Sequence, residues 1–324
     1  MREIVFMFSG QGSHYYHMGL ELMASSASFR KIMIEMDEIV ERQSGICVLA
    51  DLHDAAKSKS APLDRINITH PAIFMVEYAL AQTLIAAGIR PAFLLGASLG
   101  TFVAMAVGGC VALEQALAAV VRQGRIFDKQ GRTGGMFAVL AGTDVWENDD
   151  DLRSGSEISA INFPGHFILS APVDRLAQVE GALRRLGVNY QPLAVAHPFH
   201  SRWIDDRKPE VMQALAMARY LPSRIPIHCC AAAGPVPSFS AERLWDVVRK
   251  PIRFAETVAH LERHGRYDYV DVGPAGTLAT FLKYGLPSGS TSIAHTVMTP
   301  LGNSVDNLAA VIDRLRSPIA APSP

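Results

Sequence analysis

The sequence predicts an α/β protein in which a mainly parallel sheet is interrupted by a smaller inserted unit. Two observations lead to this fold class. Short apolar runs of strand length alternate with segments of helical spacing along most of the chain, which is typical of a parallel sheet. Between residues 134 and 197 the order becomes strand, helix, strand, strand, helix, strand, which is a split βαβ arrangement.

The first 130 residues contain the elements that carry the clearest signals. The apolar run 4–8 predicts the first strand, and helical spacing follows from Met18 to Ile39. Residues 71–85 predict an apolar helix, because Pro71 suits the first turn of a helix. A short buried strand is expected over 93–95, followed by a tight turn, an alanine-rich helix and a second helix over 113–129.

The rest of the chain divides into the insertion and a return to the larger unit. In the insertion we expect strands over 136–140, 158–162, 167–170 and 188–195, and a helix over 173–186. Beyond it we expect helices over 209–218, 241–249 and 253–263, and strands over 225–230 and 267–272. The predicted domains are a discontinuous large domain, 1–130 with 198–317, and a small domain, 131–197. The tail 318–324 is expected to be disordered.

Charge and cysteine content exclude several function classes. Thirty Lys+Arg against 31 Asp+Glu give a net charge of -1, which is not the basic balance of a nucleic-acid-binding or membrane-surface protein. Four cysteines form no CxxC pair and are too few for a disulfide framework or a zinc site. The most apolar stretch, 91–113, is interrupted by glycines and does not read as a membrane span. We therefore expect a cytoplasmic protein without a metal.

The segment Gly96-Ala97-Ser98-Leu99-Gly100 is a G-x-S-x-G motif between a predicted strand and a predicted helix. In that context a serine is held on a tight turn with its hydroxyl exposed. The alternative is a packing turn of small residues without chemistry. A nucleophilic serine needs a base within hydrogen-bond distance. His197 and His200 lie where the insertion returns to the large domain, and spacing alone does not choose between them.

The loop Ser9-Gly10-Gln11-Gly12-Ser13 is a second candidate site. It lacks the third glycine of a dinucleotide-binding loop. Backbone N–H groups of Gln11 and Leu99 would suit an oxyanion hole, because acyl transfer develops negative charge on the carbonyl oxygen. A purely structural loop is the alternative.

Five motifs together indicate a family. In chain order they are Gly10-Gln11-Gly12-Ser13, Gly96-Ala97-Ser98-Leu99-Gly100, Asn162 before Pro164-Gly165, His197-Pro198-Phe199-His200 and Asp271-Val272-Gly273-Pro274. With them, residues 3–315 resemble the malonyl-CoA:acyl-carrier-protein transacylases and the acyltransferase domains of polyketide synthases. The resemblance implies an α/β-hydrolase-like large domain with an inserted ferredoxin-like small domain.

The resemblance also implies roles. Ser98 would be the nucleophile and His200 the general base, with Gln11 and Leu99 as oxyanion donors. The carbonyl that orients the base would fall at Val247, by alignment from Pro251. The acyl group would pass from a thioester through a serine ester to the phosphopantetheine thiol of an acyl carrier protein. We expect no cofactor other than this carrier or coenzyme A, and a monomeric enzyme.

Departures from the family pattern bear on the substrate. The family's malonyl-binding arginine would lie 25 residues after Ser98, where this chain has Gln123. Arg122 and Arg125 are offset by ~100° and ~200° on a helix, which points them away from the site. The residues expected to contact the acyl substrate are His70, Ala97, Gln123, Asn162, His197 and Phe199. Of these, Ala97 replaces a usual histidine and His70 a usual glutamine, whereas Phe199 would narrow the acyl site.

Three functions are consistent with these residues. A malonyl carboxylate buried without a cation costs about 3 to 5 kcal/mol, which favours a neutral acyl group, acetyl or longer. In lacking the arginine, the chain resembles free-standing family members beside trans-acyltransferase polyketide synthases that hydrolyse stalled acyl groups, and this resemblance implies a proofreading acyl hydrolase. The alternatives are a transacylase for malonyl or an unusual acyl group, and a non-catalytic protein that docks acyl carrier protein. An acidic carrier would bind a basic helix end, and the candidates for that contact are Arg122, Arg125, Lys129 and Arg132.

Overall fold

The computed structural model describes residues 2–129 and 133–316 and confirms the predicted α/β fold class. The strands are β1 (Glu3–Phe8), β2 (Phe93–Gly96), β3 (Gly134–Leu140), β4 (Glu157–Phe163), β5 (His166–Pro172), β6 (Asn189–Pro192), β7 (Ile227–Cys229), β8 (Gly234–Val236), β9 (Ile252–Arg253), β10 (Tyr267–Asp271) and β11 (Ile293–Thr296). The predicted tail 318–324 and the junction at 130–132, with Arg132, lie outside the described residues.

Fourteen α-helices and one 3₁₀-helix, Arg202–Arg207, connect these strands within the described residues. The α-helices are α1 (Leu20–Ser25), α2 (Ala27–Ser44), α3 (Val48–Leu52), α4 (Ile66–Ala86), α5 (Gly100–Val107), α6 (Leu113–Asp128), α7 (Asp144–Glu147), α8 (Asp150–Gly155), α9 (Leu176–Arg185), α10 (Lys208–Ala216), α11 (Ala241–Arg249), α12 (Phe254–Glu262), α13 (Thr277–Gly285) and α14 (Ser304–Arg316). In the described ranges, no helix combines the length and the apolar character needed to span a membrane.

The larger sheet has the strand order β11-β10-β1-β2-β7-β8. All neighbouring strands are parallel except β8, which runs antiparallel to β7. The strands β1 and β2 pair up to Phe8 and Gly96, so both end at the same edge of the sheet. The glycine-rich loop after β1 and the serine motif after β2 therefore leave that edge side by side, as expected at the carboxyl ends of parallel strands.

The smaller sheet has the order β6-β3-β5-β4-β9. Its first four strands are antiparallel and follow the fourth-first-third-second order of a ferredoxin-like unit. The two-residue strand β9, which lies between α11 and α12, extends this sheet by pairing in parallel with β4. The smaller sheet is thus joined directly to the part of the chain that returns after the insertion.

The two faces of the smaller sheet have different partners because strand side chains alternate. Phe137 and Val139 of β3 pack with Leu152 of α8 and Val179 of α9 in a separate apolar cluster. Met136 and Ala138 of the same strand belong to the opposite face, which turns toward the larger sheet. That inner face is available to form a wall of a cleft between the sheets.

Two differences from the predicted helices concern the first ninety residues. The helix expected from Pro71 begins at Ile66, so Pro71 lies inside α4. Burial of Ile66 and Ile68 accounts for the earlier start, because tertiary packing overrides a local proline signal. The helical stretch expected over 18–39 is split at Ser26, whose side chain accepts a hydrogen bond from the N–H of Phe29 and caps α2.

Candidate active site

Ser98 lies on the turn between β2 and α5, with a backbone φ of +53°. This left-handed conformation is unusual for serine and marks a strained turn. The flanking glycines permit it. A Cβ on Gly96 would lie 2.5 Å from the Cα of Thr101, and a Cβ on Gly100 would collide with the carbonyl of Phe8. The G-x-S-x-G motif is therefore required by close backbone packing around the serine.

A continuous chain of hydrogen bonds starts at this serine. Ser98 Oγ is 2.8 Å from His200 Nε2, and His200 Nδ1 is 2.8 Å from the carbonyl oxygen of Lys250. A carbonyl can only accept, so Nδ1 carries the proton and Nε2 is the acceptor for the serine hydroxyl. His200 itself has φ +58°, and its N–H donates to the carbonyl of Val248 at 3.2 Å.

The carbonyl that orients His200 is thus that of Lys250, and the expectation of Val247 was wrong. Val247 lies within α11, where its carbonyl points along the helix axis. Lys250 is the residue just after the helix and has an extended backbone, with φ -79° and ψ 154°. Its carbonyl lies outside the helical ladder and is free to accept from the imidazole.

Burial sets the charge of His200. Loss of solvation lowers the pKa of His200 to about 4, opposed by the hydrogen bond to Lys250 and reinforced by the positive charge of Arg249. The imidazole is therefore neutral near pH 7, which is the form that accepts a proton from serine.

The glycine-rich loop lies against the serine turn. A Cβ on Gly10 would be 3.1 Å from both the carbonyl of Ala97 and the Cβ of Ser98. Within the described residues, the backbone N–H groups of Gln11 and Leu99 have no hydrogen-bond acceptor. Two free amide donors thus lie on the two segments that meet beside Ser98.

Buried hydrogen bonds hold this loop in place. The N–H and the hydroxyl of Ser9 both contact Glu77 Oε1, at 2.7 and 2.6 Å. Burial raises the pKa of Glu77 well above its usual range. The Gln11 side chain donates from Nε2 to Thr69 Oγ1 at 2.8 Å. The loop is therefore anchored to α4 at both Glu77 and Thr69.

A cavity of about 170 Å³ lies between the edge of the larger sheet and the inner face of the smaller sheet. It is lined by Ser9, Gly10, Gln11, Gly12, Ser13, His70, Ala97, Ser98, Leu99, Phe102, Gln123, Met136, Ala138, Ala160, Asn162, His166, Ile168, Leu193, Phe199, His200, Val248, Ile252, Thr277, Leu278 and Phe281. Within the described part of the chain, this lining contains no Asp, Glu, Lys or Arg. Burial lowers the pKa of all three lining histidines, so the cavity walls carry no charge near pH 7.

Five of the six residues predicted to contact the acyl group lie in this wall. They are His70, Ala97, Gln123, Asn162 and Phe199. His197 does not: it lines a separate surface pocket with Asp64 and Asp128, and its Nδ1 is 3.0 Å from Thr133 Oγ1. A turn at Pro198, closed by a hydrogen bond from the Phe199 N–H to the His197 carbonyl, places the His197 ring behind that of Phe199.

Comparison with known proteins identifies the family. The acyl transferase domain family matches residues 5–311. The chain belongs to that family. It is 38% identical over 315 residues to the polyketide biosynthesis acyltransferase homolog BaeD of Bacillus velezensis, covering 97% of each protein. It is 35% identical over 308 residues to the homolog PksD of Bacillus subtilis, covering 95% of each.

Solved structures agree on the fold of this acyltransferase. The acyl transferase domain of SpnD, in complex with 2-(pent-4-yn-1-yl)malonyl, matches with a TM-score of 0.88 and 25% identity, over 97% of this chain and 76% of that one. The malonyl CoA-acyl carrier protein transacylase of Coxiella burnetii matches with a TM-score of 0.81 over 98% of both chains. At 19% identity the latter match shows the fold alone. The large α/β unit with a smaller ferredoxin-like unit is therefore the acyltransferase fold.

In this member of the acyl transferase domain family, the position expected for a substrate arginine is occupied by a buried amide. Gln123 lies on α6, is 4% exposed and lines the cavity. Gly124 fixes the helix register, since a Cβ there would lie 3.3 Å from the carbonyl of Ile66. Arg122 and Arg125 do not line the cavity, and Arg125 donates instead to the carbonyls of Gln43 and Ser44.

Apart from Asn162, sequence reasoning missed the cavity walls that come from the smaller sheet and from α13. The strands β3, β4 and β5 each contribute two residues spaced by two: Met136 and Ala138, Ala160 and Asn162, His166 and Ile168. This period of two is a readable signal for an inner strand face. The α13 residues Thr277, Leu278 and Phe281 gave no such signal, since their place depends on how the chain returns after β10.

Proposed function

We propose that this acyltransferase-family protein is a serine-dependent thioesterase that hydrolyses neutral acyl groups, acetyl or longer, from acyl carrier proteins of a polyketide pathway. The observation that carries the proposal is the uncharged lining of the cavity that holds Ser98 and His200. A neutral acyl chain loses little solvation free energy when it enters such a cavity, whereas a charged group loses its hydration without gaining a partner.

Each chemical step is assigned to a group at the site. His200 Nε2 takes the hydroxyl proton as Ser98 Oγ attacks the thioester carbonyl. The N–H groups of Gln11 and Leu99 donate to the resulting oxyanion. The tetrahedral intermediate expels the carrier thiol, which receives the proton from His200 and leaves an ester on Ser98. His200 then deprotonates a water molecule that attacks this ester, and its proton returns to Ser98 as the free acid departs.

The amide at position 123 argues against malonyl as the substrate. Gln123 can donate a hydrogen bond, but it is neutral and cannot neutralise a carboxylate. The described lining supplies no cation that could do so. A carboxylate left unpaired in a buried site costs about 3 to 5 kcal/mol, which corresponds to a hundredfold or more in affinity.

The relatives support the proposed pathway. BaeD and PksD are polyketide biosynthesis acyltransferase homologs, and each is matched over nearly its full length. We therefore propose an acyl carrier protein as the partner and the removal of stalled acyl groups in a trans-acyltransferase pathway as the role.

Turnover without an acceptor tests the proposal. Acetyl, butyryl and malonyl groups are loaded on carrier protein, and free acid and the mass of the intact enzyme are followed with and without a second, unacylated carrier protein. We expect multiple turnovers of acetyl and butyryl without an acceptor, slow reaction of malonyl, and no adduct or turnover with Ser98→Ala. A lasting adduct on Ser98 that only carrier protein discharges would instead assign a transacylase. Absence of both an adduct and any turnover would assign a docking protein.

A further inference from the structure

Unpartnered polar atoms are concentrated in the active cavity. Among the described residues, seven buried side-chain nitrogen or oxygen atoms have no hydrogen-bond partner. Three of them belong to residues of this one cavity: Gln11 Oε1, His70 Nδ1 and Gln123 Oε1. Buried polar atoms are nearly always paired, because leaving one unpaired costs about 1 to 3 kcal/mol. Their clustering therefore points to a ligand that pairs with them.

His70 and Gln123 define the character of that ligand. Both side chains are 4% exposed, and they come from the helices α4 and α6, which pack against each other. Burial, helped by His14 and His197, lowers the pKa of His70 to about 3, so the ring is neutral and offers one donor and one acceptor. The Gln123 amide also offers a donor and an acceptor. Because both residues line the same cavity, together they suit a group that both donates and accepts without charge.

Aromatic and aliphatic side chains line the same cavity. The His70 ring lies 6.0 Å from the ring of Phe199, and Phe199 is fixed by a hydrogen bond from Ser170 Oγ to its carbonyl at 2.6 Å. Phe102 and Met136 also line the cavity. The polar atoms are accordingly few, and the ligand that satisfies them is mostly hydrocarbon.

We propose that the preferred acyl group carries a hydroxyl substituent, which donates to Gln123 and accepts from His70. The inference rests on the proposed function, in which the acyl chain on Ser98 occupies this cavity. A carboxylate can accept but not donate, and it brings a charge. An unsubstituted chain leaves both polar side chains unpaired. A short hydroxyacyl chain meets the donor, the acceptor and the apolar wall together.

Acyl-enzyme formation is the measurement that tests this inference. Butyryl, 2-hydroxybutyryl, 3-hydroxybutyryl and malonyl groups are presented on carrier protein, and the rate of adduct formation on Ser98 is followed by rapid quenching and intact-protein mass. This step precedes discharge, so the result does not depend on whether water or a thiol is the final acceptor. We expect one hydroxybutyryl isomer to load about tenfold or more faster than butyryl, as expected for pairing buried polar groups.

Two variants and a matched control locate the preference. Gln123→Met keeps the length of the side chain but removes its hydrogen-bonding atoms. His70→Leu replaces the imidazole ring with an apolar side chain that has no hydrogen-bonding atoms. Each should bring the ratio of hydroxybutyryl to butyryl loading close to one, whatever its effect on the rate with butyryl itself. Met136→Leu alters the apolar wall of the same cavity, and it should change both rates by the same factor and preserve their ratio.

The outcomes separate the two proposals. Equal loading of butyryl and both hydroxybutyryl isomers by the unmodified enzyme would overturn the hydroxyacyl inference and leave the hydrolase proposal intact. Rapid malonyl loading would overturn the proposed neutral substrate class, while the ratio of hydroxybutyryl to butyryl would still decide the inference. A preference for hydroxybutyryl that survives Gln123→Met would also overturn the hydroxyacyl inference. This outcome does not depend on whether the His70→Leu variant folds. Loading of no thioester would remove both.

Discussion

The two ends of the cavity are built differently. At the nucleophile end, Ser98 Oγ, both nitrogens of His200 and the carbonyl of Lys250 form one chain of bonds of 2.8 Å each. At the other end, which we call the open end, Gln123 and His70 each retain a buried polar atom that has no partner among the described residues. Groups that are already hydrogen-bonded to each other are preorganised, whereas unpaired polar atoms can gain their partners from a substrate. Under the proposed function, the nucleophile end, or closed end, carries out the reaction and the open end selects the acyl group.

Removing the base tests the closed end and has the largest expected effect. His200→Ala should lower turnover by about 10³-fold or more, because an unassisted serine hydroxyl is a weak nucleophile. His197→Ala is the matched control, since His197 lies in the same segment but outside the cavity, and its turnover should stay within about threefold. Steady-state hydrolysis of butyryl thioester measures both. If His197→Ala loses activity while His200→Ala keeps it, the general base is His197 and not His200.

Adding a cation tests the open end. Gln123→Arg should raise malonyl loading relative to butyryl by about 10- to 100-fold, because the guanidinium can pair with the carboxylate. The gain is limited because the described lining holds no carboxylate that would pair with the guanidinium and orient it. Arg122→Gln is the control, and it should leave the ratio unchanged because Arg122 does not line the cavity. Efficient malonyl loading by the unmodified enzyme would contradict the neutral substrate class.

Within the closed end, the serine turn was predictable from the sequence. It depends on contiguous residues, namely a strand, two glycines and a helix, so local signals suffice. The place of Gln123 came from the family resemblance, in which the substrate arginine would lie 25 residues after Ser98. The period of a helix then indicated that Arg122 and Arg125 point elsewhere.

Features that depend on long-range packing were missed. The Lys250 carbonyl reaches His200 because α11 ends at Arg249, and that end is followed by Pro251 and the two-residue strand β9. A pair of residues has too little pattern to predict a strand, and β9 exists only because β4 lies beside it. The predicted place of His197 in the cavity was wrong for a similar reason. The turn at Pro198 determines that the ring of Phe199, and not that of His197, faces the cavity.

Docking of the carrier protein offers a smaller test, outside the cavity. Arg125 is unsuitable for charge reversal, because it caps α2 through the carbonyls of Gln43 and Ser44. Arg122 is half-buried, and Lys129 is exposed, 3.7 Å from Glu210. If the end of α6 binds an acidic carrier, the double change Arg122→Glu and Lys129→Glu should raise KM for acyl-carrier protein about three- to tenfold and leave a small thioester unaffected.

A matched change of charge controls that test. Lys31→Glu with Lys57→Glu alters the net charge equally on exposed residues that are not on α6. It should leave KM for both substrates within about twofold. Equal effects of the two double variants, or equal effects on carrier protein and small thioester, would remove α6 as the docking surface.

The dependence of turnover on pH is the smallest expected effect, and it distinguishes a buried base from a solvated one. An ordinary histidine base would lose about tenfold in rate between pH 7.5 and 5.5, because its pKa is about 6.5. Burial lowers the pKa of His200 to about 4, so the neutral base persists and turnover at pH 5.5 should stay within about twofold of that at pH 7.5. The acid limb should lie near pH 4, and a limb near pH 6.5 would show that His200 is solvated.

Stability should respond to acid before activity does. The unfolded chain protonates its histidines near pH 6.5, whereas folded His200 remains neutral until about pH 4. The contribution of His200 to stability is therefore present above pH 6.5 and declines as pH falls from 6.5 toward 4. His70 and His228 act in the same direction, because burial also lowers their pKa values. Tm should thus fall steadily over this interval while the rate, measured well below Tm, stays nearly constant, and His200→Gln should flatten the fall in Tm. If the rate declines in parallel with Tm, the expectation that stability and activity depend on different ranges of pH is contradicted.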